Sequence, residues 1–197
     1  MSGPLAAAAA SEAPVILVMG DSLSAGYGID QKAGWVNLLQ QRLEQRDYGY
    51  RVVNASISGE TTRSALSHLD NDLQRHHPAV VIIELGANDG LRGLPLRSME
   101  NNLAHMIERC RAIGAKVLVI GMRLPPNYGP SYTTQFEQIY RTLSKRYDTA
   151  FVPFLLAGFA KNSQLFQSDG LHPLAKAQPV MLDTVWPALE RLLTKTK

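Results

Sequence analysis

The sequence predicts a three-layer α/β protein, with one five-stranded parallel sheet covered by helices on both faces. Two observations carry this. Apolar, β-branched runs recur at 15–19, 51–55, 79–85, 116–121 and 149–152, and their continuous rather than alternating character suits strands buried on both sides. Between them lie stretches with helical spacing. The 197 residues, 45% hydrophobic, fit one domain with a substantial core.

The first run, Val15-Ile16-Leu17-Val18-Met19, leads into 23–28, which forms a short helix or a glycine-bounded loop. Trp35, Leu38, Leu39 and Leu43 then repeat as on one helix face. Leu66, Leu69 and Leu73 mark a second helix, and Leu103, Met106, Ile107 and Cys110 a third within 99–113. A fourth spans about 134–147. The last begins after Pro173 and carries Val180, Met181, Val185, Leu189, Leu192 and Leu193. Pro179 and Pro187 predict a kink or break in it. Alternating strands and helices imply right-handed crossovers and the sheet order 2-1-3-4-5, a flavodoxin-like three-layer sandwich. No repeat or linker marks a second domain, so 14–197 is read as a single domain. Residues 1–13, with weakly apolar Ala6–Ala10 and no basic stretch, are set apart as a disordered leader or a signal-peptide remnant behind an added start.

Composition excludes several classes. Net charge is +3 with a pI near 9.1, and the Lys and Arg residues are scattered, so there is no nucleic-acid footprint. No apolar run approaches the ~20 residues that span a bilayer. Cys110 is the only cysteine and permits no intrachain disulfide. It reads as a buried thiol.

Chemistry concentrates just past the strand ends, where open α/β sheets bind ligands. Ser22, in Gly20-Asp21-Ser22, follows the first run. It is either a turn or cap residue or a nucleophile at the mouth of the crevice. It does not sit in a Gly-x-Ser-x-Gly elbow, because Gly20 directly precedes Asp21 and residue 24 is Ser24. A serine hydroxyl needs a base. His68, His76 and His77 fall on or just after the second helix, and His105 on the third. His172 lies in a loop, Asp169-Gly170-Leu171-His172-Pro173, where Pro173 biases it away from helical geometry. Asp169 is a turn former or the group that orients the His172 ring toward Ser22. Gly59, past the second run, can bring a bare N–H into a crowded site, and Asn88, past the third, offers a side-chain amide to an oxyanion. Each also fits an ordinary loop or turn. Their common feature is placement along one edge of the sheet.

Four blocks in order resemble the SGNH (GDSL) hydrolase family: Gly20-Asp21-Ser22-Leu23-Ser24, the loop through Gly59, Gly86-Ala87-Asn88-Asp89, and Asp169 through Pro173. The resemblance runs from about residue 15 to the C-terminus. The fuller stretches 20–29, 34–36, 54–62 and 84–93 are most similar to the bacterial periplasmic thioesterase I group, also described as lysophospholipase, arylesterase and protease I. The resemblance implies Ser22 as nucleophile, His172 as base and Asp169 as its orienter. It implies an oxyanion hole from the Ser22 and Gly59 N–H groups and the Asn88 side chain. It further implies small-molecule acyl esters or thioesters as substrates, no metal or other cofactor, and a periplasmic location reached through a removed signal peptide. The loop 123–128 is a departure on the pocket side.

Leu91, Leu94, Pro95, Pro125 and Tyr128, apolar loop residues beside this edge, are read as an acyl groove, with loop packing an equal account of any one. A carbohydrate O-acetylesterase would use the same groups with a small acyl pocket and a polar sugar surface; the apolar loops argue against it. A non-catalytic binding module would have lost one of these groups, and none is lost. A flavodoxin-type cofactor binder needs a Gly-x-Gly-x-x-Gly cradle after the first run, which is missing.

Overall fold

The computed structural model describes residues 13–195; apart from Ala13, the leader expected over 1–13 lies outside them. The strands are β1 (Val15–Gly20), β2 (Arg51–Asn54), β3 (Val80–Glu84), β4 (Lys116–Ile120) and β5 (Ala150–Val152). All pair in parallel, in the predicted order β2-β1-β3-β4-β5. Burial follows position in the sheet. β1 and β3 are buried throughout, whereas β2, at one edge, exposes Arg51 and Asn54. Cover on both faces therefore holds for the centre of the sheet and lapses at that edge.

The helices are α1 (Ser22–Ala25), α2 (Trp35–Gln45), α3 (Thr62–His76), α4 (Ala87–Leu91), α5 (Leu96–Ala112), α6 (Pro130–Tyr147) and α7 (Gln178–Glu190). α3, α5 and α6 pack together over one face of the sheet, and α2 with α7 over the other. The periodic residues face inward: Leu39, Leu69, Leu103, Phe136 and Met181 are all buried. Cys110 is buried with them, and burial pushes its thiol up to about 12. α2 has no side-chain cap of its own. Instead the buried Gln178 Oε1, at the start of α7, accepts the Trp35 N–H at 3.0 Å and joins the two helices.

The helix boundaries correct three expectations. α6 begins at Pro130 rather than near 134, because proline lacks only an N–H that a first turn leaves unused. Asn88 lies inside α4 rather than in a turn. α7 is not broken at either proline. Pro179 lies in its first turn, and α7 continues through Pro187 to Glu190. Pro187 and Asp183, whose carbonyl loses its partner, are both exposed, so water can take up the freed acceptor.

Gly86 joins β3 to α4 with φ +110°. A Cβ there would collide with the Tyr140 hydroxyl and approach Met99 Cε to 2.9 Å. Backbone strain and overpacking both oppose any side chain. Gly86→Ala is expected to lower stability by on the order of 2 kcal/mol or more, measured as a fall in the urea midpoint at unchanged m-value. An unchanged midpoint would contradict this packing.

Candidate active site

The site forms at the carboxyl edge of the sheet, where the β1–β3 register opposes Gly20 to Glu84. Chain direction changes abruptly after Gly20. Asp21 caps α1, its Oδ1 accepting the Leu23 N–H at 3.0 Å. Ser22 is therefore the first residue of α1, where helix geometry leaves its own N–H without an intrahelical acceptor. The α1 segment is fastened below by Asn54, whose Nδ2 donates to the Ser24 carbonyl at 2.8 Å.

His172 arrives on a small hairpin-like loop. Phe166 bridges Pro173, and the Gln167 N–H donates to the His172 carbonyl at 2.8 Å. Asp169 uses one carboxylate oxygen to accept the Leu171 and His172 N–H groups at 2.9 and 3.0 Å, and the other to meet His172 Nδ1 at 2.7 Å. The bonds to His172 backbone and ring, then that from Leu171, hold the Asp169 carboxyl down at about 2. It is an acceptor at any working pH. With Nδ1–H donating to Asp169, Nε2 is left as the acceptor for Ser22 Oγ, 2.9 Å away. The ring packs against Tyr27, centroids 4.5 Å apart. Gln167 Nε2 also donates to the Tyr27 carbonyl at 2.8 Å, joining the His172 loop to the segment after α1.

Gly59 follows β2 with φ +80°, a conformation natural to glycine. Its carbonyl accepts from the Arg92 guanidinium at 2.7 Å. Asn88, half-buried on α4, donates through Nδ2 to Asp21 Oδ2 at 3.2 Å. A further brace joins these two regions. Asp89 accepts the Thr62 N–H at 2.9 Å and the Thr62 hydroxyl at 2.6 Å, fixing the start of α4 to the start of α3.

The sequence reading had singled out no buried acids. Asp21, Glu60, Glu84 and Asp89 are all buried, and three of them adjoin a predicted oxyanion donor in the chain. Burial raises the Asp21 carboxyl to about 6, against the opposing influence of the Leu23 N–H, His172 and Asn88. Burial raises Glu84 well above the usual carboxylate range, and the neighbouring Asp21 raises it further. Its one side-chain donor is Ser24 Oγ, at 2.7 Å. Glu60 meets His68 Nε2 at 3.1 Å, and Asp72 meets Nδ1 at 2.7 Å. His68 thus serves as a bridge behind the Gly59 loop. His105 is exposed on α5.

The five predicted groove residues divide. Leu91 and Tyr128 pack partly against the core, and the Tyr128 hydroxyl donates to the Leu91 carbonyl at 2.8 Å. Pro125 is half-buried, whereas Leu94 and Pro95 are exposed. A cavity of about 730 Å³ lies elsewhere, between the chain after β5 and α7, lined by Phe154, Gly158, Lys161, Pro187 and Arg191 among others. None of the predicted groove residues Leu91, Leu94, Pro95, Pro125 and Tyr128 lines it, and neither Ser22 nor His172 does. No group of acids, histidines and cysteine among the described residues is arranged to hold a metal ion.

Residues 18–178 match the GDSL-like lipase/acylhydrolase family. The chain is similar to esterase TesA of Pseudomonas aeruginosa, 50% identical over 181 residues, covering 92% of this chain and 90% of the relative. It is also similar to thioesterase 1/protease 1/lysophospholipase L1 of Escherichia coli, 39% identical over 184 residues, covering 93% and 87%. Among solved structures, the psychrotrophic esterase EstA from Pseudoalteromonas sp., inhibited by monoethylphosphonate, superposes with a TM-score of 0.86 at 40% identity, covering 90% of this chain and 97% of that one. A strand-end serine facing a histidine and a carboxylate, on this sheet and with these relatives, leads to one conclusion: the chain belongs to the GDSL-like lipase/acylhydrolase family and is an SGNH hydrolase.

Proposed function

We propose that the protein hydrolyses carboxylic esters and thioesters through an acyl-enzyme on Ser22. The observation that carries this is the relay from Ser22 Oγ to His172 Nε2 at 2.9 Å and from His172 Nδ1 to Asp169 at 2.7 Å. Ser22 Oγ attacks the acyl carbonyl as its proton passes to His172 Nε2, and Asp169 stabilises the imidazolium. The carbonyl oxygen, now an oxyanion, takes hydrogen bonds from the Ser22 and Gly59 N–H groups and Asn88 Nδ2. Collapse breaks the bond to the leaving alkoxide or thiolate, which departs with the proton from His172. Water then gives a proton to His172 and attacks the acyl-enzyme. The second tetrahedral species releases the carboxylic acid and returns the proton to Ser22.

We place the acyl chain against Leu91, Leu94, Pro95, Pro125 and Tyr128, apolar residues of the segments after β3 and β4, of which Leu91 and Tyr128 are joined by a hydrogen bond. The arylesterase, thioesterase and lysophospholipase activities named for the relatives set the substrate range to test. We place the protein in the periplasm, with 1–13 as leader; sequencing the mature N-terminus from the native host tests this, and an intact Met1 end would contradict it.

Turnover of p-nitrophenyl esters from C2 to C16 is expected to peak at C4 or longer and to vanish in Ser22→Ala, with the fold intact by circular dichroism. Activity confined to C2 would favour a carbohydrate acetylesterase, and activity surviving in Ser22→Ala would overturn the mechanism. A Leu94→Ala variant with unchanged chain-length preference would remove that residue from the groove. Asn88→Ala is expected to lower kcat on the order of 10²–10³-fold; a loss under about threefold would contradict its role as oxyanion donor.

A further inference from the structure

We propose that Asp21 is a positioning residue of the oxyanion hole, whose carboxylate dictates which way the Asn88 amide faces. The inference rests on the reading of Asn88 as an oxyanion donor. An asparagine side chain can be rotated by half a turn about its last bond with little change in shape, exchanging a donor for an acceptor. Only one of the two states serves an oxyanion. Asp21 Oδ2 lies 3.2 Å from Asn88 Nδ2, and Asp21 Oδ1 already accepts the Leu23 N–H. An ionised carboxylate has acceptors and no donor, so only the amide nitrogen can face it. One N–H of Asn88 is thereby used on Asp21, and the other stays available to substrate. The flipped amide would set oxygen against oxygen at Asp21 and leave an acceptor in the hole.

The surroundings suit this role. Asp21 is buried without a salt-bridge partner among the described residues. The titratable groups that bear on it are Glu84 from β3, His172 from the C-terminal loop, Asp89 from α4 and Tyr140 from α6. Burial and the neighbouring Asp21 both raise the Glu84 carboxyl well above the ordinary range, so of the two buried acids a charge is more readily held by Asp21. That charge attracts the imidazolium that His172 becomes during the reaction. The same carboxylate thus adjoins both the acid–base group and the oxyanion donor.

The test is a double-mutant cycle between Asp21→Asn and Asn88→Ala, read as kcat and KM on one p-nitrophenyl ester. Asp21→Asn keeps the shape but has a single acceptor, so Leu23 and Asn88 can no longer both be served. It is expected to lower kcat about 10- to 100-fold, within the range for a lost oxyanion donor, with KM within about twofold. In the Asn88→Ala background it is expected to cost less than about threefold more, because the route through Asn88 is gone and only the attraction between Asp21 and His172 is left to lose. Wild-type kcat in Asp21→Asn, or losses that multiply in the double variant, would overturn the proposal. A neutron structure of the wild type gives a second reading that needs no variant: deuterium on the Asn88 atom facing Asp21 is expected, and oxygen there would overturn it. Absence of Ser22-dependent turnover in the wild type would overturn the underlying hydrolase mechanism as well, whereas normal wild-type turnover with an unaffected Asp21→Asn overturns this proposal alone.

Discussion

The parallel pairing of β1 with β3, in the register that opposes Gly20 to Glu84, is the constraint on which the site depends. Because both strands end at the same level, the segments that leave them start side by side. α1 begins with Ser22 and α4 carries Asn88 as its second residue. A shift of one residue would carry Asn88 out of reach of Asp21 and turn the alternate side chains of a strand to the opposite face. β1 and β3 are buried along their whole length, so that shift would disturb the centre of the core. The register is protected by the same burial that stabilises the fold.

Around this edge, polar groups have been brought into the interior in a consistent way. An acid precedes Ser22, and acids follow Gly59 and Asn88; each is buried and has a specific donor. Asp21 takes Leu23 and Asn88, Glu60 takes His68, and Asp89 takes Thr62 twice. Burying a carboxyl is costly unless its hydrogen bonds are made; Asp21 and Asp89 have a donor on each oxygen, whereas Glu60 has one on Oε1 and none on its buried Oε2, and the contacts fix the loops that carry the three proposed donors. Asp169 differs because it lies near the surface, where its bonds to His172 and Leu171 hold it ionised. A raised acid inside and a lowered acid outside flank the same histidine.

Much of this was legible in the sequence, where the information is local. The strand runs, the helical repeats and the Asp169–His172 spacing each reside in a few consecutive residues; alternation and handedness point to a parallel sheet, and five strands suggest the flavodoxin-like order. The errors have physical causes. α4 is five residues long and contains Gly90, too short to show a helical period. Of the kink or break expected in α7, the break is absent because Pro187 occupies the exposed side of the helix, where water can take up the freed carbonyl. What the sequence could not display is pairing between distant residues: Asp21 with Asn88, Arg92 with Gly59, Gln167 with Tyr27. These contacts depend on register and loop path, so the composition of either segment says nothing of them. The N-terminal acid of the Gly20-Asp21-Ser22 block was visible as a residue, but its role required the neighbour across the sheet.

The account turns on whether Ser22, Gly59 and Asn88 converge on one reacting centre. The most direct measurement is a crystal structure of the protein inactivated by an alkyl phosphonate, a tetrahedral mimic of the acyl intermediate. The account predicts phosphorus bonded to Ser22 Oγ, with the phosphonyl oxygen within hydrogen-bond distance (about 2.7–3.1 Å) of the Ser22 and Gly59 nitrogens and Asn88 Nδ2. Phosphorus on another residue, or a phosphonyl oxygen turned to solvent away from these donors, would contradict it.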